Sequence, residues 1–144
     1  MGNMVIKIDL EKAYDRLEGS LIQDVLQAAN FPSNMVQLIM SCVSSSTACI
    51  LVNGGALDSF LPSRGIRQGD PLSPYLFILC MEVLGRIIKD KCSQKAWIPL
   101  KASSNDPTFS HLFFANDLLL FERANEENCG SVREAIEEFC LLFG

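Results

Sequence analysis

Two aspartates 108 positions apart, Asp9 and Asp117, stand at the polar ends of otherwise apolar strand patterns, and a fold of this chain has to accommodate both. From Ile6 to Leu10 apolar and polar residues alternate, which puts Ile6, Ile8 and Leu10 on one face of a strand and Lys7 and Asp9 on the other. Phe109 to Phe114 and Leu118 to Phe121 read as two short strands joined at Ala115-Asn116-Asp117. If the first strand and this hairpin are neighbours in one sheet, Asp9 and Asp117 meet on a rigid edge.

The intervening sequence predicts mostly helix. Ser20 and Gln23 have capping-box spacing, and Leu21, Ile22, Val25, Leu26 and Ala29 recur on one helical face until Pro32. A second striped helix is expected from Asn34 to Val43. Thr47 to Val52 is apolar and β-branched, and Asn53-Gly54 supplies the positive φ angles of a tight turn into Leu57 to Phe60. After the polar loop Pro62 to Leu72, Ser73 is placed to cap a long helix to about Lys91, with Pro74 at its first position. Its first half, Tyr75 to Met81, is apolar all round and is expected to be buried on every side. Val132, Ile136, Phe139 and Cys140 form the inner stripe of a last helix, opposite Arg133, Glu134, Glu137 and Glu138. The order is α+β, and with 144 residues, 49% of them hydrophobic, residues 1–144 are expected to form a single domain around one core.

Some function classes are set aside by composition. No run approaches the ~18 apolar residues of a membrane span, and the start Met1-Gly2-Asn3-Met4 lacks a basic signal-peptide region, so an intracellular protein without a membrane partner is expected. Six cysteines with one histidine, His111, and no CxxC pair argue against zinc and for reduced, mostly buried thiols. A net charge of -5 runs against a free-standing nucleic-acid binder, though less against one module of a larger assembly.

Three blocks carry the chemistry: Lys7-Ile8-Asp9-Leu10-Glu11-Lys12-Ala13-Tyr14-Asp15, Arg64 to Pro74, and Phe113-Phe114-Ala115-Asn116-Asp117. Each alone has a bland explanation. Asp9 suits a solvated strand edge, Asn116-Asp117 suits turn chemistry, Gln68-Gly69-Asp70-Pro71 suits a turn into a helix, and Tyr14 suits an ordinary buried aromatic. Their conjunction in this order favours a site. Two carboxylates on a sheet edge suit a hard cation such as Mg²⁺, and two such ions about 4 Å apart stabilise nucleotidyl transfer.

On these residues the chain resembles the palm of a reverse transcriptase from a non-LTR (LINE-type) retrotransposon of the plant kind. Asp9 with Lys12-Ala13-Tyr14-Asp15, the run Arg64-Gly65-Ile66-Arg67-Gln68-Gly69-Asp70-Pro71-Leu72-Ser73-Pro74, and His111 to Ala115 leading into Asp117 carry the resemblance. It implies a palm-like antiparallel sheet packed on helices and an RNA-directed DNA polymerase using Mg²⁺, deoxynucleotides (dNTP), an RNA template and a DNA primer. It also implies that Asp9 and Asp117 bind metal, that Tyr14 walls the sugar pocket, and that Gln68 and Gly69 lie against the incoming base pair.

The family has Asp-Asp where this chain has Asn116-Asp117, and an amide ligand lacks the charge that offsets the ion's own. The expectation is therefore a truncated palm without complete fingers and thumb modules, inactive as this fragment, with apolar surface uncovered around Leu118 to Phe121 and the Tyr75 helix. The alternative is a non-enzymatic remnant that binds a partner protein.

Overall fold

The computed structural model describes residues 2–101, 103 and 106–143. In chain order come β1 (Asn3–Asp9), α1 (Ala13–Arg16), α2 (Gly19–Ala28), α3 (Ser33–Ser44), β2 (Leu51–Val52) and β3 (Gly55–Ala56). The long helix α4 (Ser73–Ser93) follows, then β4 (Leu100–Lys101), β5 (Thr108–Phe109), β6 (His111–Phe114), β7 (Asp117–Arg123) and α5 (Glu126–Phe143). Mixed helix and antiparallel sheet is the α+β class expected. Among the described residues no helix is long and apolar enough to cross a membrane. The chain divides into two compact units, Met1–Ala13 with Met81–Leu142, and Tyr14–Cys80 with Phe143–Gly144.

The first unit is built on a three-stranded sheet of order β1-β7-β6, antiparallel throughout. Central β7 pairs with β1 from Asn3↔Arg123 to Asp9↔Asp117, and with β6 from His111↔Leu120 to Phe114↔Asp117. Alternation then sorts the side chains. Leu118, Leu120 and Glu122 are wholly buried on one face, and Val5, Leu112 and Phe114 are exposed on the other, Phe114 by 78%. Helix α4 lies against the inner face at Gly85, where a Cβ would stand 3.5 Å from His111 Nε2 and 3.6 Å from Phe113 Cε2. Buried Trp97 donates its Nε1–H to the Phe121 carbonyl at 3.1 Å. Asn125 caps α5, its Oδ1 accepting the Asn128 N–H at 2.7 Å, while Asn128 Nδ2 donates to the Arg123 carbonyl at 2.9 Å. The inner stripe of α5 is Asn128, Val132, Ala135 and Phe139. Cys140, expected inside, is exposed because that stripe's period carries it off the buried face.

The expectation of bare surface at Leu118 to Phe121 is corrected by the same alternation: Leu118 and Leu120 face the core. The cysteines are corrected too. All six are free, but Cys42, Cys49, Cys129 and Cys140 are exposed and only Cys80 is buried, where desolvation pushes its thiol up to about 12.

In the second unit Leu21, Ile22 and Leu26 of α2 and Val36 and Ile39 of α3 are buried. The Ser20–Gln23 capping box does not form: the helix begins two residues earlier than a Ser20 cap would place it, Glu18 is its N-cap, and no side chain caps it. Pro32 serves as N-cap of α3. Asn53 (φ 48°) and Gly54 (φ 82°) make the tight turn, but the β2–β3 ladder has two pairs plus one bridge, Ala48↔Phe60, and its apolar side chains, Leu51 and Phe60 among them, are exposed. At the start of α4 the Leu72 carbonyl accepts the N–H groups of Tyr75 and Leu76, so Leu72 is the N-cap and Ser73 is already helical. Asp70 Oδ1 holds the Leu72 N–H at 2.8 Å. Leu76, Phe77 and Cys80 are buried, yet Tyr75 is 67% and Ile78 59% exposed. The run Tyr75–Met81 is thus not buried all round, since hydrophobicity on every face does not itself supply a second layer to cover it.

Glu122 is wholly buried and, among the described residues, neither carboxylate oxygen has a hydrogen-bond partner. Burial raises its pKa above the ordinary 4.5. The folded state therefore keeps its proton to higher pH than the unfolded chain does, and stability falls as pH rises from the unfolded range through the folded value. Urea melts of the chain and of Glu122→Gln at pH 4 and pH 8 check this, with the variant expected to gain relative stability at pH 8 and to lose most of that advantage at pH 4.

Candidate active site

Register creates the site. The Leu10 N–H donates to the Asn116 carbonyl at 2.9 Å, and those two residues stand opposite each other one step beyond β1 and β7. In an antiparallel ladder hydrogen-bonded and non-hydrogen-bonded pairs alternate, so Asp9↔Asp117 is a non-hydrogen-bonded pair, the closer kind, with Cα atoms about 4.5 Å apart. Directly opposed residues share a face. The two carboxylates therefore stand side by side on the open face of the sheet, at the end where the β6–β7 hairpin turns. That turn holds Ala115 at φ 52°, a left-handed conformation that costs a non-glycine residue roughly 1–2 kcal/mol.

The corner offsets part of its own charge and gives each carboxylate a donor. Asn116 Nδ2 donates to Asp9 Oδ1 at 2.7 Å. The amide oxygen in that place would face the carboxylate oxygen, so the nitrogen has to be the atom turned to Asp9. Lys7 Nζ lies 2.9 Å from Asp117 Oδ1, and the hydrogen bond and charge of Asp117 raise the Lys7 pKa above its ordinary value. Among the described residues no three His, Cys, Asp or Glu side chains converge. The donor set is two carboxylates plus an amide. Its carboxylate oxygens fit a hard divalent cation in kind, and Asn116 would have to turn its oxygen inward to join them.

Tyr14, Gln68 and Gly69 belong to the second unit, where the first two sequence blocks are laced backbone to backbone. The Ile66 N–H donates to the Tyr14 carbonyl and the Gly65 N–H to the Leu17 carbonyl, each at 2.8 Å, and Gln68 Nε2 reaches Asp15 Oδ1 at 3.4 Å. Tyr14 is half-buried and stacks on Phe77 with ring centroids 4.9 Å apart and planes 15° off parallel. Gln68 and Gly69 are exposed, Gly69 at φ 83°. A cleft of about 790 Å³ opens beside them, lined by Asp15, Arg64, Arg67, Gln68, Thr47 and Phe60 among others. Sequence reasoning missed Lys7, Asp15 and Gly65 as parts of these arrangements. Lys7 had a legible signal, its two-residue spacing from Asp9 on one strand face. Nothing local marked Gly65, whose need is set by a chain segment 50 positions away.

His111 sits on the inner face, half-buried, with Nδ1 2.9 Å from Ser110 Oγ. Burial, aided by Lys89, lowers its pKa. It lies away from the carboxylates in register, as a strand residue would.

Comparison with known proteins identifies the family and the fold. The sequence matches the reverse transcriptase (RNA-dependent DNA polymerase) family across residues 1–144. It is 48% identical over 67 residues to an uncharacterized mitochondrial protein of Arabidopsis thaliana, covering 46% of this chain and 55% of that protein. It is 32% identical over 117 residues to the retrovirus-related Pol polyprotein of a type-2 retrotransposable element of Drosophila melanogaster, covering 81% of this chain and 10% of the polyprotein. A Pol polyprotein of the type-1 element R2 of Popillia japonica is 30% identical over 118 residues, 82% of this chain and 18% of that one. The chain thus spans only part of these relatives. In fold it is similar to apo telomerase from Candida tropicalis, with a TM-score of 0.69 at 18% identity, over 94% of this chain and 27% of that one.

Two substitutions probe the two units. A Cβ on Gly65, at φ 92°, would lie 2.9 Å from the Asp15 backbone oxygen, so Gly65→Ala is expected to cost upwards of about 2 kcal/mol in urea unfolding. Asn116→Asp turns a hydrogen bond to Asp9 into a carboxylate contact at an exposed corner. It should cost about 1 kcal/mol in EDTA and recover it when Mg²⁺ is added. Melts with and without the ion read both halves.

Proposed function

Since the chain belongs to the reverse transcriptase (RNA-dependent DNA polymerase) family, we propose that it supplies the carboxylate corner of a retroelement RNA-directed DNA polymerase palm. The reaction of such a corner is transfer of a deoxynucleotidyl group from dNTP to a primer 3′-hydroxyl on an RNA template. The observation that carries this reading is the pairing of Asp9 with Asp117 on one face at the open end of the β1–β7 ladder.

Asp9 and Asp117 hold divalent cations in this reading, with Asn116 as a weaker third ligand through its amide oxygen. Bound there, Mg²⁺ supplies Lewis-acid stabilisation of the pentavalent phosphate and the leaving pyrophosphate. Tyr14, held by its stack on Phe77, presents a rigid wall to the sugar of the incoming nucleotide. Gln68 and Gly69 border the base pair. Their exposure and the backbone lacing at Tyr14–Ile66 and Leu17–Gly65 support a preformed pocket rather than one assembled on binding.

Inactivity of these 144 residues on their own is part of the proposal. Asn116 removes one of the charges that hold the ions, and a chain of net charge -5 grips phosphate backbones poorly. A second, non-enzymatic reading draws on the exposed apolar residues Tyr75, Ile78, Leu51 and Phe60: a palm remnant whose surface binds another polymerase module or a partner protein.

The discriminating experiment pairs Mn²⁺ titration with primer extension on an RNA template. The 144-residue chain is expected to bind Mn²⁺, Asp9→Asn to bind it at least about tenfold more weakly, and neither to extend a primer detectably with Mg²⁺. Robust extension by the unaltered chain would refute the inactivity. Binding indifferent to Asp9→Asn would refute the metal corner and leave the interaction reading standing.

A further inference from the structure

We propose that Lys7 is the resident counter-cation of the Asp9–Asp117 corner and that a divalent ion enters only by displacing it, an inference that rests on the metal reading above. Strand geometry puts Lys7 there. Lys7 and Asp9 are two residues apart on β1 and share a face, and Lys7 stands opposite Leu119, so Asp117 is its diagonal neighbour across the ladder. Diagonal positions are about 7–8 Å apart, too far for short side chains and within the span of a lysine stem. The Nζ accordingly reaches Asp117 Oδ1 at 2.9 Å. The other carboxylate is served separately, by Asn116 Nδ2 on Asp9 Oδ1 at 2.7 Å.

With Lys7 counted, the corner carries one net negative charge instead of two, and each carboxylate already has a donor. An arriving dication meets an ammonium on the same oxygen it needs. The exchange is reversible, because both partners face solvent, Lys7 by 64% and Asp117 by 39%, and exposed ion pairs are weak. Lys7 thus sets a threshold: a monovalent ion gains nothing over the tethered ammonium, whereas a divalent ion brings twice the charge. Asn116 sharpens the effect, since a third carboxylate would outweigh one ammonium and an amide does not. Lys7 is in this sense a positioning residue that tunes cation affinity without contacting substrate.

Calorimetric titration with Mn²⁺ of the unaltered chain, Lys7→Met, Lys7→Arg and Asp117→Asn tests this. Removing a unit charge about 4 Å from the ion should tighten Mn²⁺ binding about tenfold in Lys7→Met, while Lys7→Arg stays within about twofold of the unaltered chain and Asp117→Asn binds more weakly. Binding weakened by Asp117→Asn but no tighter in Lys7→Met overturns the inference alone. Binding untouched by Asp117→Asn, or absent from both the unaltered chain and Lys7→Met, overturns the metal reading and this inference with it. A measurement on the unaltered chain needs no substitution: acetylation of Lys7, read by mass spectrometry against Lys12, should speed up when Mn²⁺ is added. An unchanged ratio overturns the displacement.

Discussion

The β1–β7 ladder is the constraint on which the site depends. It joins segments more than a hundred residues apart, and closing such a loop costs about 4 kcal/mol beyond a constant. Burying Leu118 and Leu120 returns a comparable amount, about 1.5–3 kcal/mol each, so the pairing holds because its inner face is apolar. The same apolar face fixes the register. A slip by one residue would turn Leu118 and Leu120 to solvent and would separate Asp9 from Asp117 in the same motion. Core and candidate active site are thus set by one choice of alignment.

Charge at that corner is arranged more tightly than two aspartates on a sheet edge would suggest. Lys7 neutralises Asp117, and the amide of Asn116 gives Asp9 a hydrogen bond but no charge. The exchange of a carboxylate for an amide beside Asp117 therefore has two consequences that act in opposite directions. In the proposed metal reading it weakens the set of ligands for a hard cation, and it gives the sheet end a hydrogen bond in place of a repulsion. The Ala115 turn, held in a left-handed conformation, keeps Asn116 in reach of Asp9.

In the other unit the segments around Tyr14 and Gly65 are tied by main chain. Backbone hydrogen bonds from Gly65 and Ile66 run to Leu17 and Tyr14, and the close approach leaves no room for a Cβ at position 65. Phe77, from the buried side of α4, braces the Tyr14 ring and meets Phe143 edge-on at 6.5 Å. The opposite side of that helix stays open at Tyr75 and Ile78, and the β2–β3 hairpin is open along its length. It is on these exposed apolar residues that the proposed non-enzymatic reading rests.

The sequence by itself determined the elements with strong periodicity or distinctive turn chemistry. The alternation through β1, the Asn53-Gly54 turn, the helical stripes of α2 and α3 and the meeting of Asp9 with the Asn116-Asp117 hairpin were all legible, because each rests on local spacing or on one pairing that the apolar face demands. Helix starts were less legible: Ser20 and Ser73 look like caps, yet Glu18 and Leu72 occupy those positions, since chain entry and Asp70 decide where the first turn begins. Only the tertiary structure decided which faces are covered, leaving Tyr75 bare and Leu118 buried, and which donors reach the carboxylates. Lys7 finds Asp117, Asn116 finds Asp9, and Gly65 meets Asp15 through contacts that span tens of residues. Local spacing can place Lys7 on the face of Asp9, but it cannot name these partners, because each partner's position is fixed by the packing of the chain between.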